Sequence, residues 1–324
     1  MALLGRRLTL AGFGSLGIAG FAKANTWPVE PLTWIIPFSA GGINDGFARP
    51  VAAHVSEALG QTVIVDNRSG AGGTLGAAIV ARAPADGYTM LIGNTAHTYA
   101  SLIYPQSGFD LMRDFEPISA FARVPQALVV NPAVIDVATI QQFVDIARKR
   151  PNTIDIGSAG VGTINHVAIE LLEDRTGIQI NHVPYRGSAP AIQDLLSGHV
   201  GAIFNPVANL IGYVRSGKLR VLGIAGRRRE PILPDVPTMH EEGLTDFRVA
   251  AWVGLFSGKN TPAPILDRMH AAVAAALQSD AIKQLWTEQG AKVEPESRAD
   301  FQRFVGEEVE RWRRIVKAAA IDMD

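Results

Sequence analysis

Two glycine-containing stretches of this chain could bind an anion through backbone N–H groups. The first is residues 37–42, Pro-Phe-Ser-Ala-Gly-Gly, and the second is residues 157–163, Gly-Ser-Ala-Gly-Val-Gly-Thr. Each follows an apolar, strand-like run and precedes a helical pattern, so glycine lets the backbone turn tightly and leaves the first N–H groups of the helix uncovered. The sequence therefore predicts two anion-binding loops, each at the start of a helix.

Neither loop contains lysine or arginine, so a bound anion would be held by neutral donors. Each helix end contributes about 0.3–1 kcal/mol to anion binding, and up to about 2 kcal/mol when partly buried. Charge-assisted hydrogen bonds add about 1.5–3 kcal/mol each, enough for micromolar binding at about −8 kcal/mol. The pair of loops predicts a small organic acid as ligand. The alternative, tight turns without a ligand, is the commoner role of one such loop taken alone.

Residues around the loops extend the predicted site. Asn94 and Thr95 directly follow one strand pattern and Asn205 follows another, so they could line a cleft, although loop tips are polar by default. His166, one turn into the second helix, could contact the ligand or equally support the helix start. Phe38 could belong to the core or to the cleft wall.

Asp45 lies just beyond the first loop. A carboxylate that faced a bound anion would repel it, so we interpret Asp45 as a residue that caps the helix and shapes the loop. Direct contact with the ligand is the alternative for this side chain.

The sequence offers little for catalysis. Residues 156–160 lack the first glycine of a G-x-S-x-G nucleophile elbow, and no phosphate-loop or dinucleotide-binding motif follows a strand. The seven histidines show neither H-x-x-x-H nor H-E-x-x-H spacing. We therefore predict no enzyme activity, no catalytic residue, no cofactor and no metal. A hydrolase that uses Ser158 and His166 is the least favoured interpretation.

Alternating strand and helix patterns divide the chain into two α/β lobes. Residues 32–36 and 62–65 are predicted strands with a helix between them that ends at Gly60, which makes a βαβ unit and implies a parallel sheet. A second series of strands and helices runs from about residue 124 to 226. Residues 227–324 are predicted to be mostly helical and to complete the first lobe. Domain one is thus residues 25–123 plus 227–324, domain two is residues 124–226, and the two crossings place a cleft between them.

Composition and the N-terminus narrow the class of protein. Residues 1–24 show the basic start, apolar run and Ala-Lys-Ala end of a secretory signal peptide, with cleavage expected after about Ala24. That segment holds three of the 30 basic residues and none of the 31 acidic ones, so the mature chain carries a net charge near −4. This charge disfavours nucleic-acid binding. We expect an exported monomer whose stability comes from packing, because the chain has no cysteine.

These residues resemble the periplasmic substrate-binding proteins of tripartite tricarboxylate transporters, the Bug or TctC type. The matching stretches run in order over almost the whole mature chain. They are residues 36–38, 41–42, Asp45, Arg49, 65–68, 70–73, 86–89, 114–115, 157–160, 182–187, 217–220, 233–238 and Trp252. The chain departs from the family by having Ser39-Ala40 where prolines are common and by carrying Pro50 in the first helix.

The resemblance implies a two-lobed, Venus-flytrap α/β fold, each lobe a mixed or parallel sheet flanked by helices. It also implies a binding protein that closes on a carboxylate, which could be an amino or aromatic acid, and delivers it to the membrane subunits of a transporter. A periplasmic sensor that presents the acid to a membrane signalling protein is the alternative. The candidate ligand-binding residues are Phe38, Ala40, Gly41, Gly42, Asn94, Thr95, Ser158, Gly160, Thr163, His166 and Asn205.

Overall fold

The computed structural model describes residues 27–245, 247–292 and 296–318, with the side chains of 317 and 318 excepted. The predicted signal peptide, residues 1–24, lies outside the described residues. The first lobe begins with three strands and the helices between them. These are β1 (Leu32–Ile36), α1 (Ile43–Leu59), β2 (Val63–Asn67), α2 (Thr74–Ala81), β3 (Thr89–Asn94), α3 (Ala100–Ile103) and α4 (Leu111–Asp114).

Strand β1 lies parallel to both β2 and β3, which confirms the predicted βαβ unit. Helix α1 starts at Ile43, continues through Pro50 and ends where Gly60 adopts a left-handed conformation with φ of +67°. Glycine adopts this conformation without the steric cost of a Cβ, so the predicted helix stop is confirmed.

A single long strand, β4 (Phe115–Val130), joins the two lobes. Its residues 115–125 pair antiparallel with β9 (Ala250–Gly258) in the first lobe. Its residues 126–130 pair antiparallel with β7 (Ala202–Pro206) and with β8 (Arg220–Ile224) in the second lobe. The predicted second series of strands begins only at about residue 124, so the first part of β4 was missed. The strand is buried along most of its length and lacks a clear alternation of polar and apolar residues.

The second lobe contains the remaining strands of the sheet. Its elements are α5 (Ile140–Lys149), β5 (Asp155–Ser158), α6 (Ile164–Thr176), β6 (Asn181–Pro184), α7 (Ser188–Ser197), β7, α8 (Ile211–Arg215) and β8. Strand β5 lies parallel to β6 and to β7. The strand order across both lobes is β2-β1-β3-β9-β4-β7-β5-β6, with β8 paired to β4.

The C-terminal part of the chain returns to the first lobe. Strand β9 inserts between β3 and β4, and helices α9 (Ala263–Gln278), α10 (Asp280–Glu288) and α11 (Arg298–Ala318) follow. The expectation of a helical segment missed β9, whose sequence Ala-Ala-Trp-Val-Gly-Leu-Phe-Ser-Gly is buried almost throughout and carries two glycines. Such a run is compatible with a buried strand or a buried helix segment. Its pairing with β3 and β4 identifies it as a central strand.

Each lobe buries apolar side chains on both faces of its sheet. In the first lobe, α1, α9 and α10 pack on one face around Trp34 and Trp286, while α2 and α11 cover the other face around Phe256. In the second lobe, α5 and α6 cover one face and α7 and α8 the other. Met239 and Phe247, from the segment between β8 and β9, belong to the same buried cluster as side chains of α5 and α6.

Candidate functional site

Sheet topology brings the two glycine loops to facing edges of the lobes. The first loop follows β1, which is parallel to β3, so it lies at the same sheet edge as Asn94 and Thr95. The second loop follows β5, which is parallel to β7, so it shares an edge with Asn205. Carboxyl ends of parallel strands are the usual place for ligands in α/β sheets.

Hydrogen bonds at the crossing connect these two edges. Thr95 Oγ1 accepts from the Trp252 N–H at 2.9 Å and donates to the Ala250 carbonyl at 3.4 Å. Ala250 pairs with Pro125 of β4, and the next residue of β4, Gln126, pairs with Pro206. Only a few residues therefore separate the strand edge of one lobe from that of the other.

The first loop is held by a network of charged and amide side chains. The Gly41 N–H donates to Oδ2 of Asp45 at 3.1 Å, and Arg49 Nε donates to the same oxygen at 2.9 Å. Asn67 Nδ2 donates to the Phe38 carbonyl at 2.9 Å and to Asp45 Oδ1 at 3.2 Å. The Arg49 hydrogen bond holds the pKa of Asp45 below its usual range, although burial opposes the shift.

Helix α1 starts without a side-chain cap. Gly42 occupies the N-cap position, and Asp45, in the first turn, bonds back to Gly41 instead. The first intrahelical bond runs from Gly46 N–H to the Gly42 carbonyl at 3.0 Å. The N–H groups of residues 42–45 therefore have no acceptor within the helix, as expected for a helix start.

Phe38 forms one wall beside this loop. Its ring lies edge-on to His97, with centroids 5.9 Å apart. Gly73 permits this packing, because a Cβ there would lie 2.7 Å from the Phe38 ring. His97 Nδ1 accepts from the Asn94 N–H at 3.0 Å, and burial lowers the pKa of His97 to about 4. The ring is therefore neutral at pH 7.

The second loop is tied by hydroxyl groups. Ser158 Oγ accepts from the Gly160 N–H at 3.0 Å and lies 2.6 Å from His182 Nε2. Thr163 Oγ1 donates to the Gly160 carbonyl at 2.7 Å and, as the N-cap of α6, accepts from the His166 N–H at 3.4 Å. Both hydroxyls are thus engaged inside the loop.

His166 supports the second loop through a hydrogen bond to its backbone. Its Nδ1 accepts from the Gly162 N–H at 3.1 Å, so the ring proton is on Nε2, which lies 3.3 Å from Glu170 Oε1. The side chain is 6% exposed. The imidazole of His182 stacks on it, with centroids 4.0 Å apart and planes 14° apart.

Buried asparagines connect each helix start to the neighbouring strand. Asn94 Nδ2 donates to Asn44 Oδ1 at 3.3 Å in the first lobe. Asn165 Nδ2 donates to the Phe204 carbonyl at 2.6 Å and to Gln126 Oε1 at 2.9 Å in the second. Asn205 is buried and accepts from Asn209 Nδ2 at 3.0 Å. The bonds of Asn44 and Asn165 fix the starts of α1 and α6 against β3, β4 and β7.

The pair of Ser158 and His166 that the hydrolase interpretation requires does not form. Ser158 contacts His182 and not His166, whose two ring nitrogens are occupied by Gly162 and Glu170. In residues 27–245, 247–292 and 296–318, no group of three or more His, Cys, Asp or Glu side chains could hold a metal ion. No helix within the same ranges combines the length and apolarity needed to cross a membrane.

Sequence reasoning did not identify three supporting residues, Asn67, Asn165 and His182. Asn67 is the last residue of β2 as Asn94 is the last residue of β3, so the pattern that indicated Asn94 could also have indicated Asn67. His182 lies within β6 and 24 positions from Ser158, and no sequence spacing links the two.

Two α/β lobes joined at a crossing, with glycine loops at facing sheet edges, are the architecture of a two-lobed periplasmic-binding-protein fold. The comparisons with known proteins agree. R. palustris Rpa4515 with adipate is 36% identical, has a TM-score of 0.83 and covers 91% of this chain and 99% of its own. MatC from Rhodopseudomonas palustris with bound malate is 33% identical, with a TM-score of 0.81, and covers 90% of this chain and all of its own.

The chain belongs to the tripartite tricarboxylate transporter receptor family, the TctC or Bug type. The family model, described as the tripartite tricarboxylate transporter family receptor, matches residues 47–321. Protein BugT of Bordetella pertussis is 34% identical over 303 residues, which cover 93% of each chain. The chain is therefore a member of a solute-binding family with the predicted fold.

Proposed function

We propose that this protein captures a small mono- or dicarboxylate between its two lobes, without catalysis, for uptake by a tripartite tricarboxylate-type transporter. Similar proteins with adipate and with malate support a carboxylate ligand. The proposed contacts are Phe38, Ala40, Gly41, Gly42, Asn94, Thr95, Ser158, Gly160, Thr163, His166 and Asn205, with Asp45 shaping the first loop.

The observation that carries this proposal is the uncapped start of α1. The N–H groups of residues 42–45 have no acceptor within the helix, and no side chain caps them. A carboxylate placed there would accept from several donors at the positive end of the helix dipole. On the second lobe the hydroxyls of Ser158 and Thr163 are engaged, so we assign its contribution mainly to backbone N–H groups such as those of residues 164 and 165.

The test is replacement of Gly42 by valine. Gly42 has φ of −81°, and a Cβ there would meet only the Ser39 carbonyl, at 3.5 Å, so the variant should fold. The branched side chain would cover the N–H groups of the helix start. We expect Gly42→Val to abolish the rise in Tm caused by adipate or malate, whichever acid the unmodified protein binds.

Gly46→Val is the matched control. Gly46 lies one turn along the same helix, is exposed, and a Cβ there would have no neighbour within 4 Å. This variant should keep the ligand-induced rise in Tm. Full binding by Gly42→Val, with Tm measured both with and without acid, would contradict the proposed site.

Delivery to membrane subunits and export form the second part of the proposal. The family match supports a transporter partner, and the pattern of residues 1–24 supports export with cleavage after about Ala24. Edman sequencing of the protein from a periplasmic extract should start near residue 25. Deletion of the protein should abolish uptake of the radiolabelled ligand acid, and restored uptake on complementation would assign the defect to this chain. A deletion that alters only gene induction by the acid would favour a sensor.

A further inference from the structure

His182 contacts the second loop although it belongs to neither the loop nor its helix. It lies in β6, which pairs with β5 directly before the loop. Its Nε2 is 2.6 Å from Ser158 Oγ, and that oxygen accepts from the Gly160 N–H. The imidazole therefore orients the Ser158 hydroxyl, and that hydroxyl holds the Gly160 N–H.

The same ring also supports the other half of the loop. It stacks on His166 at 4.0 Å between centroids, and His166 Nδ1 accepts from the Gly162 N–H. Parallel stacking restrains rotation of the His166 ring about its Cβ–Cγ bond. Gly160 and Gly162 have φ of +127° and +73°. Because glycine has many accessible backbone conformations, these hydrogen bonds select one of them in each case.

We propose that His182 is a positioning residue of the binding site, which orients the N–H groups of the second loop through two separate ties, Ser158 to Gly160 and His166 to Gly162. The inference rests on the proposed function only in assuming that the ligand uses this loop. Its structural part is testable in the ligand-free protein.

The carboxylate of Glu170 favours a charged imidazole, whereas burial favours a neutral one. Glu170 accepts from His166, and Glu173, one turn further on, accepts from the Ile180 N–H at 2.7 Å. Burial, with a smaller effect of His166, lowers the pKa of His182 to about 4. The His182 ring is therefore uncharged at pH 7. The Nδ1 of His166 carries no proton, because it accepts from the Gly162 N–H.

The experiment follows the glycine amides of the full mature chain by NMR after labelling with [15N]glycine, without ligand at pH 7. His182→Ala should speed hydrogen exchange at both Gly160 and Gly162, by roughly tenfold for a lost hydrogen bond of about average strength. His182→Gln places an amide near the position of Nε2 but has no ring. It should restore slow exchange at Gly160 and leave Gly162 fast.

Ser158→Ala should give the opposite pattern, with Gly160 fast and Gly162 slow. Gly201, whose N–H donates to the Asp155 carbonyl at 3.0 Å in the same lobe, serves as the internal reference and should not change. His199→Ala is the matched control, because that histidine is 73% exposed and lies away from the loop sequence.

Exchange at Gly160 and Gly162 that stays within twofold of the unmodified protein in His182→Ala would overturn the proposal. An equal rise at Gly201 would also overturn it, since His182 would then support the lobe in general. Titration of each variant with adipate and malate is a separate measurement. If Gly160 and Gly162 respond separately but neither acid binds, the result would support the two ties. It would contradict only the proposed function.

Discussion

The two loops of the site have the same backbone design but different side chains. In each, the third residue of the helix bonds back to a glycine just before the helix start, Asp45 to Gly41 and His166 to Gly162, both at 3.1 Å. The two glycines have φ of +80° and +73°. The first lobe thus uses a carboxylate where the second lobe uses an imidazole.

The partners of these two residues differ in the same way. Four residues further on, Arg49 binds Asp45, whereas Glu170 accepts from His166. From the adjacent strand, Asn67 bonds to Asp45, whereas His182 stacks on His166. A charged network and a pair of stacked imidazoles therefore hold a glycine N–H in the same way, so the two loops share a backbone geometry without sharing a side chain.

The largest expected effect is on the pH dependence of the free energy of unfolding. Burial gives His97, behind the first loop, a pKa of about 4, below its unfolded value of about 6.5. The unfolded chain then binds more protons between these values, so the free energy of unfolding falls as pH drops from about 6.5 to about 4. For His97 the full loss is about 3 kcal/mol. Urea unfolding at several pH values measures it.

Replacement of His97 by asparagine isolates this contribution, because the amide can occupy the position of Nδ1 and does not titrate. The variant should show a shallower decline than the unmodified protein over the same range. His182→Gln should reduce the decline of the free energy of unfolding by a smaller amount, since His182 is only partly buried. The stabilising effect of Asp45, whose pKa is lowered, should persist until the pH falls below about 4. Equal slopes in the unmodified protein and His97→Asn would contradict the assignment.

A second test compares the two partner residues directly. Arg49→Gln removes an ion pair to a buried carboxylate and should cost about 1 kcal/mol after allowance for the exposure of Arg49. Glu170→Gln keeps a carbonyl that can accept from His166 Nε2 and should cost less than about 0.5 kcal/mol. Urea unfolding at pH 7.5 in low and high salt measures both costs, and only the Arg49 cost should shrink with salt. A large, salt-sensitive cost for Glu170→Gln would contradict this difference between the two partner residues.

Much of this architecture could be predicted from local patterns, and some of it could not. The loops, the start of α1 and the stop at Gly60 follow from glycine chemistry and helical spacing, which are properties of short stretches. Strand β9 and most of β4 were missed because they are buried by partners distant in sequence. His182 was missed for the same reason, since its role comes from the pairing of β5 with β6.

The smallest expected effect concerns the caps, and it separates stability from function. Gly42 and Thr163 hold nearly the same N-cap conformation, with φ and ψ of −81° and 178° and of −77° and 162°. Gly42→Ser should therefore cap α1 and raise the free energy of unfolding by a few tenths of a kcal/mol, while Thr163→Gly should lower it by a similar amount. The serine would engage an N–H group that we assign to the ligand. We expect Gly42→Ser to weaken carboxylate binding severalfold in calorimetric titration although the protein becomes slightly more stable, and unchanged affinity would show that the uncapped start of α1 does not hold the ligand.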